Sequence, residues 1–170
     1  TCPTMLPRQH RDSTINTSHH NDTTLSDGRP GVIVDVGSVG NLCGPEWVRT
    51  VFQASRAAGR TEEHPDQIQS QERNRPLNVC GIGQGAQKCT QNIKVPIVME
   101  ADDDTLIHGH YVAPCIVGSN CPALLGLGTL TENRAVIDCE TRKIYFKGPG
   151  NSDLKAGLPN GTKCVQAETA

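Results

Sequence analysis

The sequence has few aromatic residues, no surplus of basic charge and no long apolar run, and each shortage removes a class of function. Aromatic residues make up 3% of the 170-residue chain, too few to build the stacking platforms on which single-stranded nucleic acids lie. Lys and Arg number 16 against 18 Asp and Glu, a formal net charge of −2, so there is no basic footprint for a phosphate backbone. No apolar stretch approaches the roughly 20 residues of a membrane-spanning helix, and no basic amphipathic segment suggests a membrane surface. Neither nucleic acid nor membrane is expected as a partner. The length suits one domain with tails rather than two domains.

Cysteine, by contrast, is plentiful. The eight cysteines, at positions 2, 43, 80, 89, 115, 121, 139 and 164, are an even number, which permits a disulfide framework without requiring one. None forms Cys-x-x-Cys and no His pair has zinc-finger spacing, so no metal is expected. His108 and His110 would share a face of a strand, but a solvated His-Gly-His stretch is the simpler reading. Thr1 to Pro30 lacks the charged-then-apolar order of a secretion signal. That favours free thiols in a reducing intracellular compartment, taken to be the cytoplasm. A secreted β domain would instead link Cys80 to Cys89 or Cys115 to Cys121, pairs that bracket turns.

The pattern along the chain is that of strands. Residues 1–30, rich in Thr, Ser, Asn, His and Asp, read as a disordered polar leader. Gly44-Pro45-Glu46 opens a helix expected to run to about Ala58, with Trp47, Val48, Val51, Phe52 and Ser55 on one face and Gly59 as the stop. Residues 60–76 are polar, mixed in charge and without apolar period, and read as a flexible insertion. Strand patterns follow at Leu77 to Cys80, Ile93 to Met99 and Thr105 to Val112, and Pro122 to Leu130 reads as a buried strand with a glycine exit into a short helix. A hairpin over Ala135 to Phe146 completes the series. From Gly148 the pattern stops, leaving residues 148–170 as a polar tail. The structured part is thus residues 31–147, all-β with one or two short helices.

One stretch stands out: Gly31-Val32-Ile33-Val34-Asp35-Val36-Gly37-Ser38, a β-branched run that ends in a carboxylate and a glycine turn. Val32, Ile33 and Val34 suggest a strand covered on both faces, after which a charge is costly unless it is hydrogen-bonded, protonated or used. The plain alternative is a strand-to-turn junction in which Asp35 bonds its own backbone.

Three pieces in order, Asp35-Val36-Gly37-Ser38, the glycine hairpin Cys80-Gly81-Ile82-Gly83-Gln84-Gly85, and Leu124-Leu125-Gly126 before a helix and hairpin, resemble retropepsin-like aspartic proteases of retrotransposon polyproteins. The resemblance covers about residues 31–147. It implies a small closed β-barrel, active as a homodimer, that cleaves an extended peptide of a polyprotein without metal or cofactor. In that reading Asp35 is the catalytic aspartate, Gly37 the loop glycine and Ser38 the small residue bonding the carboxylate. Leu125 and Gly126 support the loop from beneath, while Ile82, Gly83, Gln84 and Gly85 form the flap over the substrate. Val36 departs from the family's Thr or Ser, whose hydroxyl ties the two loops across the dimer. Gly128 stands where relatives often carry Asp. The loss at Val36 opens a second reading, a catalytically inactive dimerisation or peptide-binding module.

Overall fold

The structure, a computed structural model, describes residues 24–25, 27–59, 67–80, 85–150 and 153–165. The chain divides into two compact units, Thr1–Leu127 and Gly128–Ala170. It is built mostly of strands, with two α-helices. The polar leader over residues 1–23 lies outside the described residues, as do residues 60–66 of the expected insertion.

In the first unit the apolar run yields a short strand, β1 (Ile33–Asp35). It is less covered than its composition suggested, for Val34 is exposed and its neighbours are only half-buried. Helix α1 (Pro45–Ala57) forms where the caps predicted it, with Pro45 at its first position, Glu46 in the first turn and Arg56 in the last. Its stop is Gly59, whose φ of +78° few other residues tolerate. Trp47 is buried and Val48 and Val51 pack against the core. Phe52 stays partly exposed beneath the Arg56 guanidinium, which lies 5.8 Å from its ring centre.

Strands β2 (Gln69–Val79), β3 (Gln87–Glu100) and β4 (Leu106–Cys115) form one antiparallel sheet in that order. Along β3 and β4 the inward residues recur every second position: Ile93 and Val95 on one, Tyr111, Ala113 and Cys115 on the other. Val95 pairs with Tyr111 and Ile93 with Ala113, which stacks these side chains over α1 with Cys43, Trp47 and Ala123. Trp47 and Tyr111 meet edge to face, their ring centres 5.2 Å apart at 66°.

Strand β2 takes up residues 69–76 of the stretch expected as a flexible insertion. The strand is nearly all solvated, with Val79 its one buried residue, so no apolar period could announce it. Its register slips between Glu72 and Leu77, around Pro76, which has no N–H to donate.

The last strand of this unit, β5 (Leu124–Gly126), lies parallel to β1, with Val34 opposite Leu125 and Asp35 opposite Gly126. A closed barrel does not form among the described residues, because the strands divide into three sheets, β1-β5, β2-β3-β4 and a two-stranded hairpin within residues 135–146. The first two sheets are joined by single bridges, Leu42 to Leu124 and Cys43 to Cys115.

Helix α2 (Leu127–Glu132) begins directly after β5. The second unit holds the expected hairpin of β6 (Ala135–Asp138) and β7 (Lys143–Phe146). The Asp138 carboxylate accepts from the Glu140 and Thr141 amides at 2.9 and 3.2 Å and closes the turn. A 3-10 turn over Leu154–Gly157, capped by Asp153, gives the expected tail local structure. Among the described residues no helix is long and apolar enough to cross a membrane.

Candidate active site

Asp35 is the last residue of β1, half-buried and level with Gly126 of the neighbouring strand. Its Oδ1 accepts the Gly37 amide at 2.9 Å, so part of the carboxylate's hydration is replaced by the backbone that follows it. Gly37 does not take a positive φ, and room is what it supplies. A Cβ there would stand 3.2 Å from Oδ1 and crowd the carboxylate.

Ser38 behaves differently from the expectation. Its amide donates to the Asp35 carbonyl at 3.2 Å, but its hydroxyl turns away from the carboxylate and donates to Gly40 O at 2.7 Å. The serine therefore shapes the return of the loop. Its own carbonyl accepts the Leu127 amide at 2.7 Å, which fastens the loop to the end of β5.

Two residues without a role in the sequence reading hold this loop. Asn41 accepts the Gly126 amide at Oδ1 and donates from Nδ2 to Val112 O, both at 2.9 Å, so one amide ties the loop to β5 and β4 together. The Tyr111 hydroxyl donates to Leu42 O at 2.7 Å, with Leu124 O 3.0 Å away sharing the proton. Burial raises the Tyr111 phenol well above its ordinary range and keeps it a donor. The inward phase of β4 was readable around Tyr111, but nothing local names the carbonyls it reaches. Asn41 sits in an irregular segment with no period at all.

Gly126 lies directly against the loop. An added Cβ would overlap the Gly40 carbonyl oxygen, far inside any contact distance, so the loop and β5 approach this closely only through glycine. Leu125 is half-buried and packs against the core beneath. Of the expected flap, Ile82, Gly83 and Gln84 lie outside the described residues, while Gly85, at φ +77°, leads into β3.

The chain around Asp35 carries several exposed apolar side chains. Val34, Val36, Val39 and Leu127 are all exposed, Val36 at 58% and Val39 at 88%. Cys121 is close enough to register the site: burial, then the negative charge of Asp35, push its thiol up to about 11. Between Gly31 and Pro45 the chain carries no other acidic residue, so one copy of the loop supplies one carboxyl group. Among the described residues no group of three or more His, Cys, Asp or Glu is placed to hold a metal ion.

No family model matches the chain, and no curated protein matches it. Among solved structures it is similar to the crystal structure of the retroviral protease-like domain of Ddi1 from Leishmania major. The identity is 15% over 69% of this chain and 78% of that one, with a TM-score of 0.37.

Proposed function

We propose that the chain is a homodimeric aspartic endopeptidase of the retropepsin type, in which Asp35 from each of two copies forms a catalytic pair. The observation that carries this reading is the setting of Asp35. A lone carboxylate is held by Gly37 N–H on a loop pinned by Asn41, Gly126 and Leu127, and the same stretch of chain exposes Val34, Val36 and Val39. The loop's bonds to β4 and β5 go beyond the local bond that a turn aspartate makes with its own backbone. Exposed apolar residues on the same stretch as a lone carboxylate suit a surface that a second copy covers.

A two-fold axis beside Asp35 brings it against its own copy. Two carboxyl groups in contact share one proton, because ionising both places like charges side by side. The ionised member then takes a proton from a water, while the protonated member polarises the scissile carbonyl and later passes its proton to the leaving amine. The substrate is an extended peptide segment, as in a polyprotein, and no metal or organic cofactor enters the reaction. Val36 lies next to the proposed axis and is largely exposed, yet offers no hydroxyl to the partner loop, so the contact there is apolar.

Hydrolysis of a fluorogenic peptide library from acid to neutral pH tests the proposal. The wild-type protein is expected to cleave and Asp35→Asn to be inert with an unchanged circular dichroism spectrum. A wild-type protein that forms dimers and binds peptides without cleaving them would favour the inactive peptide-binding module.

A further inference from the structure

Beneath the candidate site, four of the cysteines, Cys43, Cys89, Cys115 and Cys121, are buried as free thiols. Peptide hydrolysis by carboxylates uses none of them. Two are paired by the backbone: Cys43 donates its amide to Pro114 O at 3.1 Å and accepts the Ile116 amide at 2.9 Å, which sets it directly beside Cys115.

Residues bridged in this way have Cα atoms about 5 Å apart and send their side chains to the same side. A disulfide needs a Cα separation of roughly 4.4–6.8 Å, a range that bridged neighbours satisfy. The Cys43 thiol donates to Pro114 O at 3.7 Å, and the two sulfurs interact electrostatically, which holds the Cys115 thiol below its ordinary range and raises that of Cys43. The other two thiols are engaged elsewhere. Cys89 Sγ lies 2.9 Å from Cys115 O and 3.2 Å from Gln91 O, and Cys121 Sγ lies 3.2 Å from Pro122 O. Cys43 is fully buried and Cys115 keeps 7% of its surface.

We infer that Cys43 and Cys115 are a redox modification site, which hydrogen peroxide converts from a dithiol to a disulfide. The Cys115 thiolate attacks one peroxide oxygen, the O–O bond breaks, and the departing hydroxide takes up a proton to leave as water, giving a sulfenic acid. The Cys43 sulfur then attacks the Cys115 sulfur, the S–O bond breaks, and the Cys43 proton leaves with the hydroxyl group as a second water. Two thiols and one peroxide thus give one disulfide and two waters, with both sulfurs oxidised and the peroxide reduced. The cross-link fastens the segment that leaves the Asp35 loop to the end of β4. It closes a long stretch of chain, the case in which a disulfide restricts the unfolded state most.

The test uses the full-length, reduced protein with its exposed thiols, among them Cys80, Cys139 and Cys164, first capped by alkylation. After treatment with hydrogen peroxide, non-reducing peptide mapping is expected to show a Cys43 peptide joined to a Cys115 peptide, with a loss of about 2 Da for the two hydrogens removed. Fragmentation between Cys115 and Cys121 assigns the partner. The oxidised protein is expected to melt several degrees higher, a gain that dithiothreitol reverses and Cys43→Ser lacks. Recovery of Cys43 and Cys115 as free thiols, a link from either to Cys89 or Cys121, or Cys115 driven to sulfinic acid beside an unchanged Cys43 would overturn the inference. Because the mapping is made on the wild-type protein, neither a poorly folding variant nor the absence of peptidase activity blurs the result.

Discussion

Asp35, Gly37 and Gly126 act together to present one carboxylate: the first supplies it, the second leaves it space, and the third lets the loop sit directly on β5. Gly126→Ala pushes a methyl group into the Gly40 carbonyl and is expected to cost about 2 kcal/mol or more, read as a lower denaturant midpoint. A second prediction concerns pH. The Cys121 thiol is pushed from its ordinary 9.0 up to about 11 by burial and by Asp35. Below pH 9 both folded and unfolded chains keep this proton, and its contribution to stability is complete. Between about pH 9 and 11 only the unfolded chain gives the proton up, so stability falls as pH rises. Cys121→Ala is expected to flatten that decline in urea titrations carried out across the alkaline range. At this scale Asp35 and Gly126 were legible, because a carboxylate after an apolar run and a glycine after two leucines both break a pattern. Asn41 was not, since its worth lies in bonds to Val112 and Gly126, both remote in sequence. The Ser38 hydroxyl was misjudged for a similar reason: proximity to the carboxylate in sequence did not decide which oxygen it faces.

Among the elements, α1 carries the only tryptophan and uses it as a clamp. Trp47 Nε1 donates to Gly31 O at 2.8 Å, which ties the helix to the residues leading into β1 while the ring packs on Tyr111. Trp47→Phe retains an aromatic ring but leaves that buried carbonyl without its donor. A loss of about 1–3 kcal/mol is expected, measured by thermal melting followed by circular dichroism. The helix was legible because caps and stripe act locally: proline and glutamate at its start, glycine at its end. The β6-β7 hairpin was legible for the same reason. Strand β2 was hidden, for a ribbon solvated on both faces has no apolar alternation to show. The parallel pairing of β1 with β5 joins segments at opposite ends of the first unit, and only the resemblance in motif order hinted that they meet.

For the whole molecule, the question is what covers the exposed side chains of Val34, Val36, Val39 and Leu127. In the proposed dimer a second copy placed there would complete the pair of carboxyl groups. Val36→Thr would restore a hydroxyl on each side of the axis. With ~1 kcal/mol for each new bond, the dimer dissociation constant is expected to fall roughly 30-fold in sedimentation equilibrium. An unchanged constant would mean that the two Val36 side chains do not meet. Closure into a barrel was not to be had from strand patterns, which show that a segment is extended without showing how far its ladder continues.

The shared carboxyl pair is tested most directly by mixing wild-type protein with Asp35→Asn in equal amounts, allowing exchange, and measuring peptide hydrolysis at constant total protein. If each active site takes one Asp35 from each copy, wild-type pairs make up about a quarter of the dimers and the rate falls to about a quarter of that of wild type. A rate of half would show that each chain works alone, and would contradict the account.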